Sequence, residues 1–218
     1  MRTKAVRWIG TVAFLAAASA VPVLAQGPPP GRRGGGMMMG PPLQLSSPAF
    51  QDLGTYPEKY SCAPNGTMDP AHMTSPPLSW KNAPAGTKSF VLLLHDPDAH
   101  ANKSVDDITH WIIFNIPGDS TGLPEGVKAD APASVGVQGS NIARQPAFFG
   151  PCAPPGPAHH YTFELYALDT TLDLQAGASR DDIMKAMNGH VLGGTVMIGM
   201  FARKPGGHMG MGGGPPRN

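Results

Sequence analysis

Four short runs carry most of the apolar pattern of this chain: KSFVLLLH (88–95), THWIIFNI (109–116), HYTFELYAL (160–168) and TVMIGMFA (195–202). Each is eight or nine residues long, a length that fits a strand and falls short of an ordinary helix. The whole chain holds 28 glycines and 25 prolines, and those between the runs punctuate it every few residues, which argues against a bundle of long helices. The third run alternates, with Tyr161, Phe163 and Leu165 on one face and Thr162, Glu164 and Tyr166 on the other. Shorter strands are expected near Leu43–Leu45 and Leu78–Trp80. One helix has a start and a stop: Ser179 three residues before Asp182, an apolar stripe of Ile183, Met184 and Met187, and Gly189 at the end. The pattern predicts a mainly β domain of antiparallel strands with long loops and one or two short helices.

The ends of the chain have a different character. Residues 1–25 carry Arg2, Lys4 and Arg7, then an apolar run, then Val23-Leu24-Ala25. This is the pattern of a secretory signal peptide cleaved after Ala25. As a membrane anchor the run is too short and contains Pro22. Residues 26–42 and 204–218 are almost entirely Gly, Pro and Met and cannot bury a core, so both are expected to be disordered. That leaves residues 43–203 as the folded domain, in an exported (periplasmic or secreted) protein with no transmembrane span in the mature chain. Removing the leader removes three cations and no acid, leaving 13 Lys plus Arg against 15 Asp plus Glu, a net charge near −2. There is no basic excess to attract nucleic acid. The two cysteines, Cys62 and Cys152, suit a disulfide outside the cytoplasm, with two separate buried thiols as the alternative.

Polar residues gather where the strands begin and end. Run 88–95 leads into Asp96, Pro97 and Asp98; run 109–116 opens with His110; run 160–168 is preceded by GPCAPPGPAH, which contributes Pro154, Pro155 and His159. His159 and Tyr161 are two apart and share a face. Two carboxylates, two histidines from different strands and a tyrosine could line one pocket. Imidazole and phenol donors suit a phosphate or carboxylate, with the acids orienting the histidines and raising their protonated fraction. The same residues could equally be solvated strand ends around a common DPD turn. Nothing resembles a G-x-S-x-G elbow, and no H-x-x-x-H or C-x-x-C spacing marks a dedicated metal site. No cofactor motif is present.

The order DPDAx, HWIIFNIP, GPCxPP and a His-x-Tyr strand ending YALD, with SPPLSWKNAPAGTKSF (75–90) before and GHVLGGTVMIGMF (189–201) after, resembles the phosphatidylethanolamine-binding protein family. The likeness is greatest to its bacterial Raf-kinase-inhibitor-like branch. The resemblance implies an antiparallel β-sandwich with Greek-key connections and a small anion pocket at one end. Asp96, Asp98, His110, Pro154, Pro155, His159 and Tyr161 fall at the family's pocket positions. It implies a non-catalytic binding protein for a small anionic or phosphorylated ligand, with a kinase or protease as a possible protein target. Three departures stand out: His100 replaces the usual proline of DPDAP, His160 replaces the usual arginine of the HRY-like triplet, and ANKSVDDIT lacks the tryptophan many bacterial members carry before the histidine. Two other functions are weighed against binding. One is an Asp/His hydrolase. The other is copper binding by soft ligands in the tails, namely Met37, Met38, Met39, His208, Met209 and Met211.

Overall fold

The computed structural model describes residues 40–64, 66 and 68–205. The expected leader 1–25, residues 26–39 of the expected linker and residues 206–218 of the expected tail lie outside the described residues. So do the methionines and His208 considered above as copper ligands.

Among the described residues, nine strands form two sheets. The larger has the order β2 (Gly54–Thr55), β9 (Val191–Phe201), β8 (His159–Leu168), β4 (Ser89–His100), β5 (Asp107–Pro117) and β7 (Val137–Gln138). The smaller has the order β1 (Gln44–Ser46), β3 (Leu78–Lys81) and β6 (Gly122–Leu123). All pairings are antiparallel except β2 with β9. The strand order requires crossing connections and is compatible with Greek-key topology.

The two sheets close on one apolar core. Phe90, Leu92, Leu94, Trp111, Ile113, Phe163 and Leu165 of the large sheet meet Leu78, Trp80 and Leu123 of the small one, and the rings of Trp80 and Phe90 lie 5.3 Å apart. The large sheet is covered on its other face as well. There Val91, Leu93, Ile112 and Phe114 pack with Ile183 and Met187 of the helix α1 (Arg180–Met187). Burial on both faces explains why Phe90–Leu94 reads as an unbroken apolar run and not as an alternating one. The helix starts as the sequence suggests: Ser179 Oγ accepts the Asp182 N–H at 3.1 Å and donates to the Asp182 carboxylate at 2.6 Å. Gly189, just past its end, takes the positive φ (+86°) that favours glycine.

One element runs differently from the sequence reading. The DPD segment is a turn by its composition, but β4 continues through it to His100. Its ladder with β5 slips, pairing Asp96 with Ile108 and then His100 with Asp107. A bulge absorbs Pro97, which has no N–H to offer a ladder.

Candidate functional site

Strands β8, β4 and β5 are neighbours in the sheet, so the start of β8, the far end of β4 and the start of β5 come together at one end. Leu94 pairs with both Trp111 and Phe163, and one step further on lie Asp96, His110 and Tyr161. Asp96, His110 and Tyr161 are buried, whereas Asp98, His160, Pro154 and Pro155 are exposed.

The two acids are held by the doubled histidine. His159 Nδ1 lies 2.8 Å from Asp96 Oδ2, and His160 Nδ1 lies 2.7 Å from Asp98 Oδ2. The backbone N–H of His160 donates to the same Asp98 oxygen at 2.6 Å. The backbone N–H of Asp98 donates to Asp96 Oδ1 at 3.0 Å. Successive side chains of β8 point to opposite faces, so one histidine reaches the inner acid and the next the outer one. Burial acts to raise the Asp98 carboxyl, but the N–H and ring of His160 outweigh it and hold Asp98 below the usual carboxylate range.

His110 departs from the expected electrostatics. The acids were expected to raise its protonated fraction, but burial dominates and its pKa falls to about 4, although Asp96 acts in the other direction. Its Nδ1 lies 3.0 Å from the Phe149 carbonyl, an acceptor only, so Nδ1 carries the proton. Nε2 of the neutral ring is then a lone pair. The ring meets Tyr161 edge-on at 5.1 Å.

Tyr161 is a buried clamp. Its hydroxyl accepts the backbone N–H groups of Cys152 at 3.0 Å and Ala153 at 2.9 Å. Burial first, then the nearby Asp96 charge, push its phenol well above the usual tyrosine range, so its own proton stays on. The 151–155 lip is thus tied down at Cys152, and Cys152 is disulfide-bonded to Cys62, with Cα atoms 5.4 Å apart. Pro154 and Pro155 continue that lip.

A second polar cluster lies around His95, which the sequence does not set apart from the apolar run it ends. On the helix-covered face of the sheet, His95 Nδ1 lies 2.5 Å from Asp107 Oδ2 and its Nε2 lies 3.5 Å from Glu164 Oε1. Arg180 of α1 bonds Asp107, and Tyr166 donates to Glu164 at 2.8 Å. His95 Nε2 is buried and the Glu164 contact lacks hydrogen-bond geometry. Burial opposes charging of His95, but Glu164 and Asp107 together outweigh it and raise its pKa. The signal was Glu164 alternating onto the face opposite Phe163, which is covered and not solvated. Among the described residues no group of three or more His, Cys, Asp or Glu has the arrangement of a metal site, and no helix is long and apolar enough to cross a membrane.

The family model described as phosphatidylethanolamine-binding protein matches residues 46–202. The chain belongs to that family. A protein called UPF0098 protein from Methanothermobacter thermautotrophicus is 45% identical over 162 residues, covering 74% of this chain and 99% of that one. Among solved structures, a phosphatidylethanolamine-binding protein homolog from Chlamydia trachomatis is 33% identical with a TM-score of 0.65, covering 75% of this chain and 99% of its own. The E. coli protein YbcL, described as a new member of the mammalian phosphatidylethanolamine-binding protein family, is 26% identical with a TM-score of 0.65, covering 74% and 99%. As a phosphatidylethanolamine-binding protein family member, the chain is a binding protein, and its fold is that of these neighbours.

Proposed function

We propose that this chain is a non-catalytic, exported binding protein that holds a small anion of the phosphate or phospholipid-headgroup type between Asp96, His110 and His159. Pro154 and Pro155 form the lip of the site. The observation that carries the reading is the fixed, complementary pair of imidazoles. Asp96 accepts from His159 Nδ1, so a protonated His159 presents Nε2–H as a donor. His110, fixed by Phe149, presents a lone pair. One donor and one acceptor suit a ligand bearing both an anionic oxygen and an O–H or N–H, as a hydrogen phosphate or phosphoethanolamine does. The absence of catalysis is supported by chemistry: the Tyr161 phenol is held protonated, and Cys152 is joined to Cys62 and so is no nucleophile. The leader-like residues 1–25 and this disulfide support export.

Calorimetric titration with inorganic phosphate and with phosphoethanolamine, at about pH 5.5 and about pH 8, tests the reading. Binding is expected to be tighter at the lower pH and lost in Asp96→Ala, which frees His159. Preference for phosphoethanolamine over phosphate would assign the headgroup as the source of the anion. No heat with either compound at either pH sinks the proposal.

A further inference from the structure

Next to the lip lies a groove unrelated to Asp96 and His110. It has a volume of about 460 Å³, and its walls include Tyr56, Ala63, Met200, Phe201 and Arg203. That volume falls in the range of roughly 300–1,000 Å³ typical of small-molecule sites. Most of the wall is apolar. Glu58 and Lys204 also line it, and they cancel each other in an ion pair of 2.9 Å.

Arg203 is not cancelled. Its backbone N–H and its Nε both donate to the Ala153 carbonyl, at 3.2 and 3.1 Å. No acid pairs with it among the described residues, and its two Nη groups bond none of them. The side chain is therefore pinned at its root, with the flat, two-nitrogen end of the guanidinium left for something else. A pinned fork has little rotamer freedom left to lose on binding. A guanidinium end in this state matches a carboxylate, which it can grip with two parallel hydrogen bonds. One uncompensated positive charge among apolar walls selects a monoanion. A phosphate dianion would bring a second, unmatched charge into a partly desolvated site.

We propose that this groove is a second binding site, for a small organic carboxylate with an apolar body, whose carboxylate is gripped by Arg203 while its body lies along Met200, Phe201 and Ala63. The inference goes beyond the proposed anion pocket and does not depend on it. The two sites adjoin: Ala153 donates its N–H to Tyr161 of the pocket and accepts from Arg203 of the groove, and the groove rings of Tyr56 and Phe201 pack against Tyr161 at 6.4 and 6.3 Å.

The test uses octanoate as the probe and the full chain as the protein, with binding followed by calorimetry and by amide chemical shifts. Octanoate is expected to bind saturably and to shift the backbone amides of Tyr56, Glu58 and residues 200–204. Arg203→Gln is expected to weaken it by about tenfold or more, the effect of losing a charge-assisted pair of hydrogen bonds. Ala158→Trp fills the groove, which Ala158 also lines, without touching a charge, and is expected to abolish binding. It decides the matter if the arginine variant does not fold. Asp96→Ala and excess inorganic phosphate are expected to leave octanoate binding unchanged, which separates this site from the pocket. Absence of saturable binding overturns the proposal. So does binding that survives Ala158→Trp or a folded Arg203→Gln, or that disappears with Asp96→Ala.

Discussion

The phenol oxygen of Tyr161 sits 3.0 Å from the amide nitrogen of Cys152, and Cys152 is itself linked to Cys62. One residue of the lip is thus held twice, once by a hydrogen bond from the pocket wall and once by a covalent bond to a loop 90 residues away in sequence. Replacing both cysteines by serine removes a closed loop whose entropy is worth about 4 kcal/mol. Tm is expected to fall by roughly 10 °C, and phosphate affinity with it, as measured by thermal unfolding and titration. Tyr161→Phe strands two backbone N–H groups and is expected to destabilise the fold by about 1–3 kcal/mol, with the disulfide intact by thiol assay.

His95 and His110 give stability opposite slopes with pH. The folded pKa of His95 is raised, so its contribution is fully present below the unfolded value of about 6.5 and is lost as pH rises through the raised value. The folded pKa of His110 is lowered to about 4. Its contribution is fully present above about pH 6.5 and is lost as pH falls from there toward about pH 4. Asp107 and Glu164 face His95, and Arg180 and Tyr166 face those acids. Burial raises Asp107 but His95 and Arg180 outweigh it; His95 is the main influence holding Glu164 down. Both acids add to the acid limb only below about pH 4. Tm is expected to peak near pH 6.5. His95→Gln should flatten the alkaline side of the profile, and His110→Gln the acid side between about pH 4 and about pH 6.5.

Gly199 sits where a side chain has no room. A Cβ there would come 2.6 Å from Tyr56 Cδ2 and 3.1 Å from Phe50 Cε2, inside a cluster in which Tyr56 and Phe163 stack at 6.2 Å. Gly199→Ala is expected to cost about 1–3 kcal/mol by overpacking, read as a lower denaturant midpoint at unchanged m value.

His160 holds Asp98 where the family usually places arginine. His160→Arg replaces a titratable partner by a permanent cation. Because both groups are half-exposed, the gain is small, about 0.5–1 kcal/mol. Phosphate binding should tighten by roughly two- to fivefold, as measured by calorimetric titration. An unchanged affinity would show that the charge of residue 160 is not what limits binding.

What the sequence determined on its own was whatever is local. The four apolar runs located the long strands, because β-branched and aromatic runs bounded by Gly and Pro have few alternatives, but not their full lengths: β4 runs on to His100 and β9 begins at Val191. Ser179 and Gly189 gave the helix, because capping is satisfied within one turn. The short strands β2, β6 and β7 carried no such signal, since two residues have no period and pair only because a neighbouring strand is already there. Tertiary structure alone decided which polar residues became neighbours. Asp96 and His159 are 63 positions apart and meet because β4 and β8 pair in one register. Tertiary structure also decided their charge states. His110 resembles any strand-end histidine in the sequence, but burial keeps it neutral. His95 resembles a core residue, yet two carboxylates brought in by β5 and β8 favour its charged form. The difference is physical: a propensity is summed over adjacent residues, whereas desolvation and ion pairing depend on what the fold places within a few ångströms.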